Sequence, residues 1–298
     1  MSARVWKACG TPLAAVVVSA LVFGAVGETA AQRASEASTP AGQTPPAVPG
    51  GGGRGGRGRG GAPQGPPRQT APVDLTGNWV SVVTEDWQWR MRTPPKGDYA
   101  SVPMTPAGRQ LADSWTDAKD GQCDAYGVGG IMRMPGRLRI SWQDDTTLQI
   151  ETDAGQQTRL LRFATPGPPA AASPVSSIAS PRSLQGASVA EWQRAGGAFD
   201  AFLERGGNAV AGQRWGSLKV TTTNHTGGWL RRNGVPYSQN AVITEYFTRF
   251  TNPQAGDWFV VTTIVEDPQY LAQTFITSSN FKKEADASKW APTACRVS

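Results

Sequence analysis

The chain is poor in the side chains on which many enzymes and metal centres depend. It has one histidine, three cysteines and only 17% charged residues in 298. One histidine excludes a histidine-based metal site. It also leaves a Ser-His-Asp arrangement only His225 to converge on, in a loop-like TNHTG run where it is expected to be exposed. There is no G-x-S-x-G elbow, and GVGG at 127–130 has neither the spacing nor the lysine of a phosphate loop. The apolar run Pro12–Gly27 has 16 residues, short of the roughly 20 that span a bilayer, and no later run is long enough. No cofactor and no transmembrane span are implied.

What is present divides the chain into three parts. Arg4 and Lys7 precede the apolar run, and small residues follow it to Ala31. This is the layout of a secretory signal peptide, so residues 1–31 are read as an export signal and the protein as periplasmic or extracellular. Residues 32–73 hold eleven glycines and eight prolines in 42 positions, with the tract GGGGRGGRGRGG at 50–61. They cannot bury enough apolar surface to offset chain ordering and read as a disordered linker. After an export signal, the arginines suit a spacer with weak affinity for anionic envelope surfaces rather than a specific nucleic-acid site. The formal charge of +6 divides as +1 in residues 1–31, +4 in 32–73 and +1 in 74–298, so the domain itself is nearly neutral.

Removal of the signal leaves Cys123 and Cys295. In an exported chain two cysteines point to one disulfide, with two unpaired thiols as the alternative. Two cysteines and one histidine are too few for a four-ligand metal site.

Residues 74–298 carry ten of the eleven tryptophans and are dominated by alternating runs. In GNWVSVVTEDWQWR (77–90), alternate positions put Trp79, Glu85, Trp87 and Trp89 on one face. Thr105-Pro106 opens a short helix near 106–117, with Ala107, Leu111 and Trp115 on a shared face. A meander follows: 137–143, a turn at Asp144-Asp145, 148–152, and 158–163. Residues 164–187 read as a surface loop. Ser188 and Glu191 form a capping-box pair ahead of a helical stretch with Trp192, Phe199, Phe202 and Leu203, giving an insertion at about 164–213. Strands return at 217–224, in a hairpin around Asn233-Gly234, and at 241–250, 257–266 and 273–281. The fold class is mainly β: an antiparallel up-and-down β-barrel with short inserted helices, or alternatively a two-sheet β-sandwich.

Gly77-x-Trp79 at the start of the first long strand resembles the opening of lipocalin and related calycin barrels, where the tryptophan plugs one end. A tie from Cys295 to the barrel body is also similar to a lipocalin habit. Several stretches, among them DLTGNWVSVVTEDWQWRM (74–91), PGRLRISWQDDTTLQIETDAG (135–155) and LRRNGVPYS (230–238), resemble a group of uncharacterised secreted bacterial proteins. That resemblance covers most of 74–298 and implies no substrate and no catalytic residue.

Two carboxylates are candidate acid/base groups. If Trp79 points inward, strand alternation places Glu85 inside the barrel beside Trp87 and Trp89, where desolvation would raise its pKa. Its structural alternative is a place at the mouth, paired with an arginine such as Arg133 or Arg139. Glu245, beside Tyr246 on a central strand, has the same ambiguity. Trp87, Trp89, Tyr99, Trp142, Trp229 and Tyr246 are candidates to line a cavity for a small apolar or aromatic ligand, with Arg231 holding an anionic group. Their alternatives are ordinary core and a solvated hairpin edge. Three functions follow: a barrel binding such a ligand in its interior, a cofactor-independent isomerase, lyase or hydratase, and a solid envelope-interaction module.

Overall fold

The computed structural model describes residues 65–164, 181–194 and 216–297. The segment expected to be an export signal, the arginine–glycine tract, most of the expected 164–187 loop and the Phe199, Phe202 and Leu203 stretch lie outside the described residues.

Among the described residues thirteen strands run in chain order: β1 (Gly77–Val82), β2 (Arg137–Trp142), β3 (Thr147–Thr152), β4 (Ala154–Gly155), β5 (Thr158–Phe163), β6 (Ala187–Arg194), β7 (Gly216–Thr223), β8 (Gly228–Arg231), β9 (Val235–Tyr237), β10 (Val242–Asn252), β11 (Gly256–Glu266), β12 (Phe275–Glu284) and β13 (Thr293–Ala294). Nine of them close a barrel in the order β1-β12-β11-β10-β7-β6-β5-β3-β2, with β2 returning to β1. Closure settles the choice between barrel and sandwich. One pair departs from the up-and-down pattern: β5 and β6 are parallel, Leu161 opposite Ser188 and Phe163 opposite Ala190, so the sheet is mixed.

The alternation that marks these strands sets the interior. Directly opposed residues share a face, so Trp79, Phe281, Phe259, Phe247 and Leu218 ring the lower interior. Trp79 is fully buried, with its edge on Phe259 at 4.7 Å and its indole N–H donating to the Leu75 carbonyl at 2.9 Å. Trp142, Phe163 and Trp192 close the same end. Residues 65–76 lie across it: the Trp192 indole N–H donates to the Pro67 carbonyl at 2.9 Å. The ordered domain thus begins before Asp74, and the last nine positions assigned to the linker belong to its packing.

Two local expectations are overturned. Residues 188–194 form strand β6, not a helix. Ser188 faces inward and shares a 2.7 Å hydrogen bond with Thr222, while Glu191 faces outward and pairs with Lys219 at 2.8 Å. These two side chains project from opposite faces, and pairing to both neighbours outweighs the local capping signal. Strand β1 also ends at Val82 rather than continuing to Arg90. Asp86 adopts a left-handed conformation, φ 53°, and the chain turns into a single helical turn, α1 (Trp87–Arg90).

The helix α2 (Pro106–Asp113) starts as expected, with Thr105 accepting from the Gly108 amide at 3.1 Å. Its buried face is rotated from the expected one: Gly108, Ala112 and Trp115 are buried, and Leu111 is 43% exposed. Together with the β8–β9 hairpin it forms a cap over the upper end of the barrel. The cap core of Tyr99, Val102, Ala112, Leu230, Val235 and Tyr237 merges with Ile243, Val265 and Phe275 at the strand ends. Cys123 and Cys295 are joined in a disulfide across 172 residues, and β13 pairs with β4 beside it. The C-terminal segment is thereby fastened to the cap.

Candidate functional site

The middle of the barrel holds a buried ion pair. Arg159 projects inward from β5 with Leu161 and Phe163, and Glu245 projects inward from β10 with Ile243 and Phe247. Both side chains are 0% exposed, and the two guanidinium nitrogens meet the two carboxylate oxygens at 3.1 and 2.5 Å. A bidentate contact of this kind leaves Glu245 committed to holding a buried cation. Tyr246, at the next position, points to the outer face of the wall, so it cannot share a cavity with Glu245.

Glu85 lies beyond the end of β1 and is not on the inner wall. It accepts from Arg90 at 2.5 Å, from Thr84 at 2.6 Å and from Asn280 at 2.8 Å. Glu85 is thus a paired carboxylate, with Arg90 and not Arg133 or Arg139 as its partner. Arg133 instead binds Asp86 at 3.0 Å and Thr277 on β12. Arg139 pairs with Glu151 on the neighbouring strand and covers Trp290 at 4.1 Å.

The aromatic candidates separate into three places. Trp142 is at the lower end and Tyr246 is on the outer wall. Trp87, Trp89, Tyr99 and Trp229 are all in the cap, together with Arg231. Tyr99 is part of the cap core, and its hydroxyl donates to Asp113 at 2.9 Å. Trp87 is 61% exposed and, with Arg92, Pro94, Pro95, Trp115 and Asp120, lines a groove of about 540 Å³. Trp229 lines a second cleft of about 330 Å³ with Trp115, Lys119, Asp124, Tyr237 and Tyr270. Both volumes are in the range of small-molecule sites. Trp115 borders both clefts, and its indole N–H is buried without a hydrogen-bond partner.

Glycines shape the second cleft. A Cβ on Gly127 would fall 2.4 Å from the Tyr237 hydroxyl, so the GVGG run makes room for that ring. Gly234 has φ 80°, and a Cβ there would lie 2.6 Å from Trp115. The Asn233-Gly234 turn is therefore required both by hairpin geometry and by the ring packed on it.

Arg231 is not on a solvated edge. It is 3% exposed, its guanidinium lies over the Trp89 ring at 4.2 Å, and none of its three nitrogens has a hydrogen-bond partner. Burial first, and then the neighbouring Arg133, lowers its pKa to about 10, against the opposing pull of Asp86 and Asp98. Arg90 is lowered in the same direction, again mainly by burial.

His225 is buried as well, contrary to its loop-like sequence. Its Nε2–H donates to the Ala241 carbonyl at 2.8 Å, and Nδ1 accepts from the Gly227 amide at 3.2 Å. Desolvation holds its pKa below the ordinary value, so it is a neutral structural brace. Among the described residues no group of three or more His, Cys, Asp or Glu side chains gathers as a metal site, and no helix is long and apolar enough to cross a membrane.

The sequence reading missed Trp115, Tyr237, Arg90 and Arg159. For Arg159 a signal existed: it occupies the inward parity of TRLLRF, where a lone cation demands an inward anion elsewhere. No family model, curated protein or solved structure matches the chain.

Proposed function

We propose that the protein is an exported binding module that takes a small molecule with an apolar or aromatic face in the cap of its barrel. The interior placement expected from a lipocalin-like barrel is replaced by this one. The observation that carries the reading is the contrast between the two regions. Packed aromatics and the Arg159–Glu245 pair occupy the inner wall, while the cap holds two aromatic-walled clefts separated by Trp115. Export is supported by the charged, apolar and small-residue order of the N-terminus and by the single disulfide. The kinship with uncharacterised secreted barrels stands on the quoted stretches alone. The arginine–glycine tract would add a weak contact to anionic envelope polymers.

An acid/base function finds less support, since both candidate carboxylates are held by arginines. The binding reading is tested by titrating the intact protein with a neutral aromatic probe, 1-naphthol, and following tryptophan fluorescence and thermal midpoint. Trp229→Leu is expected to abolish the response, and Tyr246→Leu, on the outer wall, to leave it unchanged. A response insensitive to Trp229→Leu and equally to Trp87→Leu and Trp89→Leu would overturn the cap placement.

A further inference from the structure

The cap buries three guanidinium groups close together, those of Arg90, Arg133 and Arg231. Two have a carboxylate in contact: Glu85 for Arg90 at 2.5 Å and Asp86 for Arg133 at 3.0 Å. The third has none. Asp98, the other nearby acid, accepts the Trp89 indole N–H at 3.0 Å, and among the described residues no carboxylate comes within ion-pair distance of Arg231. Arg232 does not help, since it is a second cation and donates to the Arg90 carbonyl at 3.1 Å.

A buried charge without a partner is among the most costly features a fold can carry. Other buried polar atoms of the cap also lack a partner, namely the Trp115 indole N–H, the Asn233 Oδ1 and the Tyr237 hydroxyl, but none of them carries a charge. Asn233 beside it donates to the Pro95 and Asp98 carbonyls at 3.0 Å each. The Trp89 ring covers the flat face of the Arg231 guanidinium, which leaves its edge, the part bearing the N–H donors, unmatched. That edge is a planar fork whose geometry fits two coplanar oxygens. Trp89 is only half-buried, and it sits on α1, one helical turn following the left-handed Asp86. Trp89 thus joins the buried guanidinium to the protein surface.

We propose that Arg231 is the receptor for the carboxylate of a small organic acid, whose apolar or aromatic body lies against Trp89. One uncompensated cation calls for one negative charge, which favours a monocarboxylate over a phosphate dianion. The inference rests on the reading of the cap as the ligand-binding end and adds the charge and headgroup of the ligand.

The test compares benzoate, benzyl alcohol and inorganic phosphate as additives in thermal unfolding of the intact protein. Benzoate is expected to raise the midpoint of the wild type, with phosphate having no comparable effect. In Arg231→Met the benzoate effect disappears, and the unliganded variant melts at or above the wild type because an unpaired buried charge has been replaced by an apolar chain of similar length. Arg231→Lys keeps the charge and loses the fork, so benzoate affinity falls roughly tenfold or more while the protein stays folded. This variant carries the test if Arg231→Met fails to fold. The proposal is overturned if benzoate does not protect the wild type, if it protects either variant equally well, or if phosphate protects as strongly. Equal protection of wild type and Arg231→Met by benzyl alcohol and benzoate would remove the carboxylate assignment and leave the cap reading in place.

Discussion

Replacing Glu245 by leucine leaves the Arg159 guanidinium fully buried with no counter-charge. Both side chains are 0% exposed and joined by two short contacts, so water cannot take over without opening the barrel. Removing one member of such a pair costs about 3–5 kcal/mol. For a domain of this size that is a fall in melting midpoint of about 10 °C. Replacing both, as Arg159→Met with Glu245→Leu, removes the charges together and is expected to return the protein to within about 1–2 kcal/mol of wild type, since apolar replacement of a buried pair is often neutral or stabilising. Urea denaturation of the wild type, both single variants and the double variant gives the coupling energy directly. A coupling below about 1 kcal/mol, or a Glu245→Leu variant as stable as wild type, would refute the placement of this pair in a packed barrel interior. It would also reopen Glu245 as a free acid or base.

Three further perturbations follow from the same structure. Replacing Cys123 and Cys295 by serine opens a closure of 172 residues and is expected to cost up to about 5 kcal/mol by the chain-entropy argument, with amide exchange rising first at 291–297; unchanged protection there would count against the strap. Gly234→Ala forces a side chain into a position with φ 80° against Trp115, and a loss of about 1–3 kcal/mol in urea denaturation is expected, with no loss contradicting the turn assignment. His225 is held neutral by burial, its folded pKa lying below the unfolded value of about 6.5. Above pH 6.5 neither state is protonated and its effect is flat. As pH falls below 6.5 the unfolded state takes up a proton that the folded state does not, so stability declines at up to about 1.4 kcal/mol per pH unit. Stability measured from pH 7 to 5 should show this decline in wild type and less of it in His225→Gln.

The barrel wall was legible because its strands carry period-two patterns between clear turns. Leu138, Ile140 and Trp142, and again Ile243, Glu245 and Phe247, fall on the inner face as their alternation requires. The errors have physical reasons. Ser188 and Glu191 satisfy a capping pattern over three residues, while the competing signal, two flanking strands, lies far away in sequence. Alternation extended through residues 83–90 points Glu85 inward, but Asp86 breaks it with a positive φ that no periodicity reveals. Around 106–115 the small residues Gly108 and Ala112 make the buried contacts while the larger Leu111 stays at the rim of a cleft, the reverse of what side-chain size suggests. The site itself was half visible. Trp87, Trp89, Trp229 and Arg231 were singled out for their chemistry, but only folding could show that they share the cap and that Trp142 and Tyr246 do not.

The central claim is that ligand binds in the cap of a filled barrel. Hydrogen exchange of the intact protein with and without saturating benzoate tests it most directly. Added protection is expected in segments 84–99 and 226–238, with the inner strands β10, β11 and β12 unchanged. Protection confined to those strands, with the cap unaffected, would place the ligand in the barrel interior and contradict the account.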